Sequence, residues 1–119
     1  MYIAIEADGD IRIGSEAKMS PEQLRRAVGG PLAVRTGPGH GGRRLAAVMK
    51  ADGSGSRNLL ATLAAHRFGI VPEDEVLRGT VLFAAERENK LLPLSTEESA
   101  AFGIILGVVG TRASSAAAV

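Results

Sequence analysis

Apolar and polar positions alternate along the first stretch of the chain, "YIAIEADGDIRIG". Tyr2, Ala4 and Glu6 interleave with Ile3 and Ile5, and Ile11 and Ile13 resume the alternation after Asp8-Gly9. A period of two is that of a strand. Asp-Gly between two such runs predicts a hairpin closed by a type I′ turn, in which both central residues take positive φ. In "SPEQLRRAVGG" the spacing lengthens, and Leu24 and Val28 form a helical stripe. Ser20 and Gln23 make a capping box there, Pro21 suits the first helical position, and Gly29-Gly30 supplies the left-handed ending.

"PLAVRT" and "RRLAAVMK" read as a strand and its return, with "GPGHGG" as a mobile loop between them. In "SRNLLATLAAHRFG" a helical period places Leu59, Leu63 and His66 on one face and Leu60, Ala64 and Phe68 on the adjoining one. Gly69 ends it. "IVPEDEVL" is a connection carrying Glu73, Asp74 and Glu75, and "RGTVLFAAERE" is a strand turning at Asn89-Lys90 into "LLPLS". A second capping box, Ser95 to Glu98, opens a short last helix in "STEESAAFGIIL". The order ββαββαβα predicts an α+β domain, a small and largely antiparallel sheet with helices packed on one face. The domain is expected over residues 1–110, with 111–119 as a frayed tail.

Composition narrows the function classes. The 119 residues carry 14 Lys and Arg against 13 Asp and Glu, a net charge of +1 that gives no global attraction to DNA, RNA or an anionic membrane. With no cysteine, thiolate metal sites and thiol catalysis are excluded. The N-terminus lacks the basic start and apolar core of a signal peptide, and "AAFGIILGVVG" is far short of the ~20 residues of a membrane helix. A cytoplasmic protein is expected.

The hairpin, the helix ending in "VGG", the strand "PLAVRT", the segment "ADGSGSRNLLATLAAHRFG" and the strand opener "LRGTVLFA" occur in a telling order. Together they resemble a family of short phage, plasmid and actinobacterial proteins classed only as a domain of unknown function. Asn58 and Gly79-Thr80 match that pattern best, while "GPGHGGRR" is longer and richer in glycine than the pattern. The resemblance implies a small accessory protein of a mobile element, a binder or modulator rather than an enzyme.

Three constellations bear on chemistry. Asp52-Gly53-Ser54-Gly55-Ser56 has the spacing with which some strand-to-helix turns hold Mg²⁺. That use belongs to a doubly wound sheet longer than this chain, and the segment equally describes a plain turn with Ser56 or Asn58 capping the next helix. It is read as a turn; no metal and no cofactor are expected. "RTGPGHGGRR" offers exposed backbone N–H groups and guanidiniums, which suit an anion. It is not a Walker A loop, because no Gly-Lys-Ser/Thr follows. Arg35, Gly39, His40, Arg43 and Arg44, with Arg57 nearby, are the expected ligand-binding residues, and the ligand would be a nucleotide or another phosphate bearer. Finally Phe102, Ile105, Leu106 and Val109 repeat at helical spacing, as a core stripe or as the face of a homodimer.

His66 is expected near a helix C-terminus, half-buried beside Leu63, and the five carboxylates Glu73, Asp74, Glu75, Glu97 and Glu98 as solvated surface. The favoured function is a non-enzymatic binding protein acting through the Gly/Arg loop. Its rivals are a protein–protein modulator using the apolar C-terminal segment, a small hydrolase-like enzyme using His40 or His66, and last a Mg²⁺-dependent adhesion module.

Overall fold

The computed structural model describes residues 1–14 and 20–118, with side chains up to Gly107. In chain order the elements are β1 (Tyr2–Ile5), β2 (Ile11–Gly14), α1 (Pro21–Val28), β3 (Leu32–Gly37), β4 (Arg44–Lys50), α2 (Leu59–Arg67), β5 (Val81–Arg87), β6 (Lys90–Leu92) and α3 (Thr96–Ala118). The sheet order is β2-β1-β5-β4-β3 with β6 also paired to β5, and every pairing is antiparallel. This is the α+β fold with an antiparallel sheet that the hydrophobic pattern predicts, with "LLPLS" contributing the extra strand β6.

The helices divide between the two faces rather than sharing one. Ile3, Ile5, Leu45, Ala47, Met49, Val81, Phe83 and Ala85 point toward α2 and α3 and pack on Leu60, Ala61, Ala64, Ala65 and Phe102. The alternate residues Tyr2, Val48, Leu82 and Ala84 point the other way and meet Leu24 and Val28 of α1. The reason lies in β5, whose "VLFAA" is fully buried on both sides. A central strand needs a cover on each face.

Turn chemistry refines the hairpins. The β1–β2 connection is not a two-residue I′ turn. Gly9 N–H donates to Glu6 O at 2.9 Å and Gly9 alone takes positive φ (93°), so Ala7-Asp8-Gly9 form a type I turn closed by a glycine bulge. The β5–β6 turn lies one residue earlier than expected, at Glu88 (φ 52°) and Asn89 (φ 64°). In α1 the expected capping box is present in both directions and Gly29 ends the helix at φ 91°.

α2 buries Leu60, Ala61, Ala64 and Ala65 and leaves Leu59 outside, so of its two adjoining faces the one through Leu60 and Ala64 meets the core. α3 is not short: it continues to Ala118 through a segment rich in Ala, without proline. Among the described residues no helix is long and apolar enough to cross a membrane.

Candidate functional site

The loop joining β3 to β4 is built by close packing. A Cβ on Gly37 would sit 2.8 Å from the carbonyl oxygen of Gly69, and one on Gly39 would collide with the carbonyl oxygen of Arg43. Arg43 N–H donates back to His40 O at 3.1 Å. The glycines thus let backbone meet backbone.

Arg43 reaches from this loop to the start of α3. Its Nη2 donates to Glu98 Oε1 at 2.8 Å and to Pro93 O at 2.7 Å, while Nε donates to Glu98 Oε2 at 3.3 Å. Glu98 is also the N3 residue of the expected capping box: Ser95 N–H donates to Glu98 Oε1 at 2.7 Å and Glu98 N–H to Ser95 Oγ at 3.1 Å. Burial alone would raise the Glu98 pKa, but the hydrogen bonds from Arg43 and Ser95 outweigh it and hold the carboxyl below its ordinary value. The forked pair welds the loop to the helix.

Between them lies a cleft of about 490 Å³. Pro38, Leu45, Phe68 and Ala101 supply apolar walls, and His40 and Glu97 stand at the rim. Phe68 is fixed from behind by Phe102, ring centroids 4.2 Å apart, and Phe102 by Phe83 at 4.9 Å. Phe102 is fully buried, and Ile105 and Leu106 pack half-buried on the same core. The stripe considered as a dimer face therefore turns inward along these three residues; the Val109 side chain lies outside the described residues. Ile104 points away from it, 69% exposed.

The six expected ligand-binding residues fall into three places. Gly39, His40 and Arg43 border the cleft. Arg44, although next to Arg43, points to the α1 side of the sheet, where it lies in register opposite Glu86. Arg35 is on β3 with its Nη1 ion-paired to Glu75, and Arg57 pairs through an isolated bridge with Arg78 at the far end of the sheet. Two of the carboxylates expected to be solvated, Glu75 and Glu98, are thus engaged by arginines.

The Asp52 segment forms the turn it was read as. Its Oδ1 accepts from Ser54 N–H at 2.9 Å, an Asx-turn. These bonds from Ser54 lower the Asp52 pKa. Asn58 rather than Ser56 caps α2: Oδ1 accepts from Ala61 N–H at 3.1 Å, and Nδ2 donates to Ile5 O at 2.8 Å and Gly79 O at 2.7 Å. His66 Nε2 meets the Glu75 carbonyl oxygen at 2.7 Å, a structural contact to the α2–β5 connection. Among the residues that sequence reasoning did not place in the site are Leu45, Phe68, Glu97, Ala101 and the Glu98 partner of Arg43. Only the capping box at Ser95 hinted at the last of these.

The chain has no significant match to a family model, to a curated protein or to a solved structure.

Proposed function

We propose that the chain is a non-enzymatic accessory binding protein whose ligand enters the cleft between the Pro38–Arg43 loop and the first turn of α3. The observation that carries this reading is the cleft itself, about 490 Å³ with apolar walls and a few polar groups at the rim. That size and lining are those of small-molecule sites. The ligand chemistry moves away from phosphate at this loop, because the Arg43 charge is met by Glu98 and Glu97 adds a second carboxylate to the wall. An apolar body with a hydrogen-bonding or cationic end fits better.

The test is amide NMR of the full chain titrated with aromatic and aliphatic amines and alcohols, alongside Ala101→Trp, which fills the cleft. Shifts at His40, Phe68 and Ala101 that vanish in the variant are expected. Titrations that leave those amides unmoved at millimolar concentration would remove the reading. A second reading, a protein–protein modulator, rests on Ile104, exposed beside the core on α3. It predicts that Ile104→Glu abolishes capture of a partner without changing the melting temperature.

A further inference from the structure

β3 is an open edge of the sheet, and one bond fixes which way its backbone groups point. Ala51 N–H donates to Pro31 O at 2.7 Å, one step beyond the pair Leu32↔Lys50 in the same register. Bonded and non-bonded pairs alternate along an antiparallel ladder, so Ala33, Arg35 and Gly37 use their backbone groups on β4. The N–H and C=O groups of Leu32, Val34 and Thr36 therefore point outward. Among the described residues no backbone bond reaches them from outside the sheet. The next outward position is Pro38, which has no N–H and closes the row.

Sheet edges are commonly blunted by charge, proline or a bulge. β3 reads "LAVRTG", and its single charge, Arg35, is already ion-paired with Glu75. Its register with β4 runs unbroken from Leu32 to Gly37, with no bulge. Leu32, Val34 and Thr36 share the α1 side of the sheet, where Leu24 and Val28 pack on Val48 and leave Val34 43% exposed. The opposite edge, β2, is defended. Glu6 N–H donates to Asp10 O at 2.8 Å, so by the same alternation Ile11 and Ile13 point their backbone groups outward. Two copies paired through both isoleucines would set Arg12 against Arg12, like charges at the closest, non-bonded position.

We propose that a second copy of this chain adds to β3, antiparallel about a two-fold axis at Val34, so that two sheets become one. In this register Leu32 meets Thr36 of the second copy, Val34 meets Val34, and every outward group of both strands is bonded. Ala33 takes the close, non-bonded position opposite Arg35, and no like charges oppose. A slip of two residues toward Pro38 would set Arg35 against Arg35 and lose the bond that Pro38 cannot donate. A slip the other way leaves Thr36 opposite Gly30, beyond the strand. The strand thus complements itself in one register, as an isologous contact requires. The inference stands apart from the cleft, none of whose lining residues lies on the outward row.

Sedimentation equilibrium of the full chain over a concentration series, with amide hydrogen exchange, tests it. A monomer–dimer equilibrium is expected, and in the dimer the amides of Leu32, Val34 and Thr36 exchange as slowly as those of Ala33, Arg35 and Gly37. Val34→Pro removes an outward N–H without touching the β4 ladder and should give a folded monomer. Val34→Lys places like charges at the axis and should weaken the dimer by about tenfold or more. Val34→Glu should do the same, and an equimolar mixture of the Lys and Glu variants should dimerise again. If Val34→Pro does not fold, this charge pair carries the test. Because the chain has no cysteine, Val34→Cys should cross-link two copies on oxidation, while Ile104→Cys on α3 stays monomeric. A monomer up to the highest soluble concentration, a dimer unchanged by Val34→Lys, outward amides that exchange freely in the dimer, or cross-linking through Ile104→Cys instead would each overturn the proposal.

Discussion

Asn58→Ala should be among the most damaging single changes available in this chain. Asn58 is fully buried, and its side chain serves three elements at once. It caps α2 through Ala61 N–H and ties α2 to the end of β1 at Ile5 O and to the loop before β5 at Gly79 O. Losing the cap costs about 1 kcal/mol. Depriving two inward-facing carbonyls of a donor costs about 1 kcal/mol each, and the space left behind about 1 more. The total, ~3–4 kcal/mol, compares with a whole-domain stability of about 5–15 kcal/mol. Urea unfolding followed by circular dichroism reads this directly as a lower midpoint at unchanged slope. Asn58→Asp separates the terms. It keeps the cap acceptor but sets a carboxylate oxygen against two carbonyl oxygens, so it should cost at least as much at neutral pH. A loss below about 1 kcal/mol in Asn58→Ala would show that the cap alone matters and that the cross-links to Ile5 and Gly79 are incidental.

Other expectations follow from single contacts. Arg43→Ala leaves the Glu98 side chain, only 14% exposed, without its partner, and should cost about 2 kcal/mol in the same assay. Because the folded Glu98 pKa is lowered, its contribution is complete above the unfolded value near 4.5 and is lost as pH falls through the folded value. The stability gap between the wild type and Glu98→Gln should therefore close on acidification from pH 6, and a gap that widens would refute the assignment. Glu88 holds φ at 52° in the β5–β6 turn, so Glu88→Gly should raise stability by about 0.5–1 kcal/mol, read from thermal melts. Gly37→Ala, whose Cβ would lie 2.8 Å from Gly69 O, should cost about 2 kcal/mol or more and shift the amide signals of both loops.

The sequence made the local devices legible, and for a common reason. Ser20 with Gln23, Ser95 with Glu98 and Gly29 act within a few residues, so the physics that places them is contained in the words that spell them. The assignment of helices to faces was not legible. "VLFAA" is apolar at every position, and alternation vanishes where both faces are covered. The site was legible only in part. Gly39, His40 and Arg43 do border a cleft, but Phe68 enters it from α2's end and Glu98 from 55 residues away along the chain. Adjacent arginines also misled. Arg43 is the last loop residue and Arg44 the first of β4, and they diverge to different sides of the sheet. The Arg57–Arg78 pair is set by a bridge between segments 21 residues apart, which no local pattern announces.

The position of β5 has a consequence for how the chain acquires its shape during synthesis. β1–β2 and β3–β4 are each hairpins between sequence neighbours, yet in the sheet they do not touch. Both wait for β5, which slots between β1 and β4 and leaves no gap. A ribosome that has released the first two-thirds of the chain has therefore produced two ribbons with bare inner edges at β1 and β4, each a template for a stray strand. The sheet closes in one step when residues 81–87 arrive, joining β1 to a partner 76 to 80 residues downstream. Pairing at such separation is slow because the loop entropy must be met before any contact rewards it. The vulnerable interval in this protein's life is thus the one before its fifth strand emerges, and chaperone dependence or aggregation of nascent chains should concentrate there.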